Sequence, residues 1–130
     1  MKKTIFVLTI LICPFPAMAD LVPRLNDDPV HCPDRPKRPQ WVENIDVKDA
    51  HKGVLVQKMY RAQRFERVAN SGDCSCGSLY PAWDDAEAYY LNNYMGLSRH
   101  EILDKTSEYL RIGNDYRPAA KEICQKQGNW

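Results

Sequence analysis

The sequence contains no C-x-x-C, no C-x-x-C-H, no G-x-S-x-G, no H-E-x-x-H and no glycine-rich phosphate loop. Those absences remove the usual signatures of thioredoxin-like centres, covalent haem, serine hydrolases, zinc proteases and P-loop enzymes. No charge of one sign dominates: 18 Lys and Arg face 17 Asp and Glu. A nucleic-acid partner calls for a basic excess, so none is expected. There is one long apolar run, residues 4–12, and it is too short for a bilayer, which needs about 20 apolar residues. No internal repeat or low-complexity segment stands out.

That run has a different use. Lys2 and Lys3 form a basic lead, and Ala17-Met18-Ala19 fits a small-residue cleavage pattern. Residues 1–19 therefore read as a signal peptide, cleaved after Ala19, with export to the periplasm of a Gram-negative cell. Cys13 follows Ile12, which is not the small residue that lipid attachment requires, so no stable membrane anchor is expected. Cleavage leaves 111 of the 130 residues, the size of one domain. Without Lys2 and Lys3 the 18 basic residues become 16 against 17 acidic, a formal charge of −1.

Cleavage also turns five cysteines into four: Cys32, Cys74, Cys76 and Cys124. An even count in a small exported chain reads as two disulfides. Three connectivities exist. A Cys74–Cys76 bridge closes a tight ring near the lower limit of comfortable geometry. The other two send one of that pair to Cys32 and the other to Cys124, and these are favoured. Both would staple an N-terminal arm and a C-terminal helix to one central turn.

The arm spans residues 20–44. Pro23, Pro29, Pro33, Pro36 and Pro39 keep it extended, because proline removes donors and disfavours helix in the residue before it. Arg35, Lys37 and Arg38 form a basic patch, read as solvated, with docking to a partner groove as the sharper alternative. A helical domain is expected over residues 45–130. Asp46 is placed to cap a helix over residues 47–69, with Val54, Leu55, Met59, Ala62, Phe65 and Ala69 on one face. A short strand over residues 54–60 is the competing reading. Lys58, Arg61, Arg64 and Arg67 drift around that helix and read as its solvated face. Asn70-Ser71-Gly72-Asp73 stops it. Pro81 suits the first position of the next helix, Asp84, Asp85 and Glu87 its first turns, and Gly96 its end. Trp83, Ala86, Tyr90, Tyr94 and Leu97 mark its inner face. Ser98-Arg99-His100-Glu101 is a capping box opening a third helix that ends at Gly113. Its inner side is Ile102, Leu103, Thr106, Tyr109 and Leu110. A last short helix covers residues 116–127. The fold class is all-α: a small, disulfide-stapled domain of three to four helices behind an extended proline-rich arm.

Candidate chemistry is sparse. Thiol exchange needs an exposed thiolate and a resolving sulfur, and Cys74 and Cys76 supply the spacing. Zinc would need paired ligands. Cys74-x-Cys76 is one imperfect knuckle, and His31 and Cys32 are adjacent rather than spaced, so neither metal nor cofactor is expected. With no catalytic constellation, the expectation is a non-enzymatic protein. The remaining feature is aromatic. Tyr80, Trp83 and Tyr89 are partner-binding candidates, since tyrosine and tryptophan bury area while keeping a polar handle. Packing the core is their ordinary alternative.

The stretch over residues 73–89, Asp73-Cys-Ser-Cys-Gly through Tyr80-Pro-Ala-Trp-Asp-Asp-Ala-Glu-Ala-Tyr89, resembles small exported proteins encoded with bacterial conjugative-transfer, type IV secretion systems. The resemblance implies an accessory periplasmic role beside the transfer apparatus. It carries over no catalytic residue; Cys74, Cys76 and Trp83 are its most distinctive members. The expected function is that of a soluble periplasmic accessory factor binding a protein partner in the cell envelope. The alternatives are a thiol-redox protein using Cys74 and Cys76, or an inhibitor or immunity-type binding protein.

Overall fold

The computed structural model describes residues 32–130. The expected signal peptide, its cleavage after Ala19 and the arm residues 20–31, with Pro23, Pro29 and His31, lie outside the described residues. From Cys32 the chain runs without regular structure to α1 (Gln40–Glu43), then a 3₁₀ turn (Val47–Asp49), α2 (Ala50–Ser71), α3 (Cys76–Leu79), α4 (Asp84–Asn93) and α5 (Arg99–Lys126). There is no strand among the described residues, so the chain is all-α and residues 54–60 are helical. The short α1 falls inside the segment read as arm, and buries Val42.

Helix boundaries follow local chemistry. Asp46 accepts from Lys48 N at 3.0 Å and caps the 3₁₀ turn ahead of α2. Gly72, at φ 70°, ends α2 in the left-handed region, where a side chain would be strained. Ser98 and Glu101 form the capping box: Ser98 N donates to Glu101 Oε2 at 2.8 Å, and Glu101 N to Ser98 Oγ at 3.4 Å.

Four expected boundaries move. α2 begins at Ala50, with Val47–Asp49 forming a 3₁₀ turn and not its first residues. Pro81 does not start α4; it lies in the linker, where its carbonyl accepts from the Tyr60 hydroxyl at 2.8 Å. Gly96 is not a left-handed cap, and α4 ends earlier, at Asn93. The two C-terminal helices are one helix of 28 residues that passes through Gly113 and Pro118. Gly113 does not break it because packing on α2 outweighs a propensity cost of about 1 kcal/mol. Pro118 is exposed, so the Asn114 carbonyl that loses its donor is on a solvated side.

The long helices α2 and α5 make the principal contact. Ala62 meets Gly113, Arg61 bonds Asn114, and Cys74 just beyond α2 is joined to Cys124 near the end of α5. The two helices therefore run in the same sense. α4 carries the chain back between them: Trp83 stacks on Tyr60, and Tyr90, later in α4, stacks on Trp41.

The core has two parts. One, at the disulfide end, holds Phe65, Val68, Leu79, Ala120 and the buried cysteines, with Trp130 packed against it. The other holds Val42, Leu55, Val56, Met59, Tyr90 and Ile102. Between them α2 and α5 approach closely; a Cβ on Gly113 would lie 3.5 Å from Ala62 Cα. Leu103 and Leu110, expected inside, are 45% and 38% exposed, and Val54 also faces out. The inner stripe of α5 is instead Ile102, Tyr109, Gly113, Ala120 and Cys124, which keeps to one side of a 3.6-residue period over the full helix.

Candidate functional site

The disulfides pair Cys32 with Cys76, Cα atoms 5.4 Å apart, and Cys74 with Cys124, 5.1 Å apart. This is one of the two favoured connectivities. Cys74 and Cys76 thus belong to different bridges, and Cys74 and Cys124 are wholly buried. The turn between them is fixed from three directions. Asp73 accepts from Ser75 N at 3.0 Å, from Ser75 Oγ at 2.8 Å and from Ser78 Oγ. Those bonds, the Ser78 hydroxyl foremost, hold the Asp73 carboxyl below its ordinary range. Gln127 spans the turn from the end of α5: its Oε1 accepts from Cys74 N at 2.9 Å and its Nε2 donates to Gly72 O at 2.8 Å. Asn129 Nδ2 donates to Cys74 O at 2.6 Å.

The Cys32–Cys76 bond lays the arm across α2 and α3 and so builds one wall of a groove. Trp83 Nε1 donates to Pro36 O at 3.2 Å and holds the arm from the α4 side. The groove has a volume of about 480 Å³. Among the described residues its cations are Arg35, Lys37 and Arg38 from the arm and Arg61 and Arg64 from α2, against one carboxylate, Glu43, which pairs with Arg38 at 3.5 Å. Its aromatic lining is Tyr60, Phe65, Tyr80 and Trp83.

Three of the cations lie over two of the rings. The guanidinium carbons of Arg35 and Arg64 each lie 4.5 Å from the Tyr80 ring centroid, and Arg64 is also 5.0 Å from that of Phe65. Tyr60 and Trp83 stack at 3.7 Å with an interplanar angle of 10°. Such contacts hold cations in place over ring faces. Burial, then the neighbouring Arg117 and Arg64, lowers the pKa of Arg61, which still stays charged at neutral pH. Arg64 Nε is buried and makes no hydrogen bond. Burial pushes the Tyr60 hydroxyl up, so it remains a donor to Pro81 O.

The residues expected to bind a partner are split by this geometry. Tyr80 and Trp83 line the groove. Tyr89 does not; it is 46% exposed and lies edge-on to Tyr94. The Tyr94 hydroxyl shares a hydrogen bond with that of Tyr109, whose ionisation is pushed well up by burial and by that bond. The two basic sets read from sequence as solvated are exposed on the arm and part-buried on α2 at Arg61 and Arg64, and these share one groove. Arg35, Lys37 and Arg38 converge with Arg61 and Arg64, while Arg67 turns away to Asp85 at 3.5 Å. Their spacing at 35, 37, 38 and 61, 64 was visible; what brings them together is the Cys32–Cys76 bond, which spacing does not specify.

Among the described residues no three His, Cys, Asp or Glu side chains converge as metal ligands, and no helix is long and apolar enough to cross a membrane. No protein-family model, curated protein or solved structure matches the chain.

Proposed function

We propose that this chain is an exported, non-enzymatic interaction module that engages a protein partner in the cell envelope through the groove between the arm and α2. The observation that carries the reading is the groove itself: five cations and four aromatic rings line it, Arg35, Arg61 and Arg64 lie over Tyr80 or Phe65, and one wall is tethered by a disulfide. Concave sites of roughly 300–1,000 Å³ with few convergent polar groups are where ligands bind, and Arg, Tyr and Trp dominate binding energetics in interfaces. Two disulfides suit an oxidising compartment such as the periplasm. The resemblance over residues 73–89 supports an accessory role beside a conjugative-transfer apparatus, and Tyr80 and Trp83, which lie in that stretch, line the groove.

Site-specific photocrosslinking in intact envelopes tests this. A crosslinker at Lys37 should capture a discrete partner, and capture should disappear in an Arg38→Glu background. A crosslinker at Lys121, on α5 outside the groove, should capture none. Equal capture from both positions would remove the groove as the site. Absence of capture together with turnover of a disulfide substrate would favour thiol exchange at Cys76 and Cys32 instead.

A further inference from the structure

The spacing of the cations narrows what the partner presents. Arg61 and Arg64 sit three residues apart on α2, about 4.5 Å along its axis. Lys37 and Arg35 are two residues apart on an extended arm, roughly 6.6 Å. Alternate side chains of an extended peptide recur at that same interval of roughly 6.6 Å. A single phosphate is far smaller than this and meets one or two guanidinium groups at a time. A duplex or long polyanion meets another obstacle. Asp84, Asp85 and Glu87 follow Trp83 in the chain, Asp85 pairing with Arg67 at 3.5 Å, and Glu43 lies inside the groove. Glu43 interrupts the basic lining, and beyond Arg61 the positive charge continues only to Arg117 among the groups that act on that arginine.

Resting on the reading of the groove as the partner site, we infer that it takes an extended acidic peptide segment of the partner, with alternate carboxylates on the guanidinium groups of the groove and the intervening side chains on its aromatic lining. Guanidinium groups match carboxylates in bidentate geometry, and those here are already oriented by the rings beneath them. Less side-chain freedom is then lost on binding than with unsupported arginines. The clustered cations of the groove steer an acidic segment toward it on a molecule that is nearly neutral overall.

The test uses the oxidised full protein purified after export, and a fluorescein-labelled octapeptide alternating glutamate and leucine. Fluorescence anisotropy should show binding that weakens as sodium chloride rises from 50 to 150 mM. The glutamine counterpart should bind at least about tenfold more weakly, the loss of one charge-assisted bond or more. Arg64→Gln and Arg38→Glu should each weaken the glutamate peptide about tenfold or more. Lys126→Gln, at the far end of α5 and paired with Glu122, should leave it unchanged. Arg38 is half exposed, so its variant folds even where Arg64→Gln does not, and circular dichroism checks both. Equal binding of the glutamine peptide would overturn the inference. So would displacement by inorganic phosphate at equimolar concentration, or recruitment to phosphatidylglycerol vesicles through the same arginines without peptide binding. If neither peptide binds while Lys37 still crosslinks a partner, the groove remains the partner site and only its acidic specificity fails.

Discussion

Cutting the Cys32–Cys76 bond should release the arm and leave the helices standing. The perturbation is the double variant Cys32→Ser, Cys76→Ser, which retains the buried Cys74–Cys124 bond. Beyond the disulfide, the contacts of the arm counted among the described residues are the Trp83–Pro36 hydrogen bond, the Arg35–Tyr80 contact and the exposed Arg38–Glu43 pair. These contribute about 1 kcal/mol, about 0.5–1 kcal/mol and about 0–1 kcal/mol, together roughly 1.5–3 kcal/mol. Against them stands the ordering of Cys32, Asp34, Arg35, Lys37 and Arg38, at about 1–2 kcal/mol each, roughly 5–10 kcal/mol in all. Twice the sum of the contacts only reaches the low end of that range, so the tether decides. The assay is limited trypsinolysis of the Lys37–Arg38 bond followed by mass spectrometry. The bonds after Arg35 and Arg38 precede prolines and resist the enzyme. Cleavage should accelerate by roughly one to two powers of ten as the open arm becomes the populated state, while ellipticity at 222 nm stays near that of the parent. An unchanged rate would refute the reasoning, because the non-covalent contacts would then suffice. Loss of ellipticity in step with cleavage would refute it from the other side.

Other outcomes are expected at single positions. Gly113→Ala should raise stability by about 1 kcal/mol in urea unfolding, since a helix-interior glycine costs about that much and the added methyl meets Ala62 at ordinary contact distances of 3.5–3.8 Å; Gly113→Leu should instead lose about 1–3 kcal/mol by overpacking. Ser98→Ala removes one half of the capping box at α5 and should lower stability by about 1 kcal/mol, read by thermal melting. Asp73 is held below its ordinary value of 3.8, so the unfolded chain binds its proton more readily; its contribution is present above 3.8 and is lost as pH falls through the lower folded value. Urea unfolding at stepped pH should therefore show a gap between the parent and Asp73→Asn at neutral pH that closes in acid, and a constant gap would exclude that linkage.

What could be read from the sequence was local. Gly72 and the Ser98–Glu101 box act through neighbours a few residues away and sit where their chemistry suggested, while Asp46 caps the 3₁₀ turn and not α2 itself. The inner face of α2 at Leu55, Met59, Ala62 and Phe65 followed from one helical period. Gly113 and Pro118 misled for a physical reason: propensity is weak beside a tertiary face that continues through Ala120 and Cys124. Leu103 and Leu110 misled because apolar character does not require burial. The groove was least legible. Its cations come from two segments joined only by a long-range bridge across 44 residues, and arginines that cover aromatic rings resemble solvated arginines in sequence. Tyr80 and Trp83 were marked by composition, whereas the separation of Tyr89 from them appears only when α4 turns back along α2.

The two disulfides also define a load path. They meet at Cys74 and Cys76, so a continuous covalent line runs from the arm through Cys32 to Cys76, across Ser75 to Cys74, and out through Cys124. Tension applied between the arm and the C-terminal end travels along that line and bypasses α2, α4 and most of α5. A force that would unravel an unbridged bundle of this size meets a short, nearly inextensible strut here. The helices and their two core clusters hang from the strut unloaded, and the groove wall formed by the arm lies at the end where the pull enters.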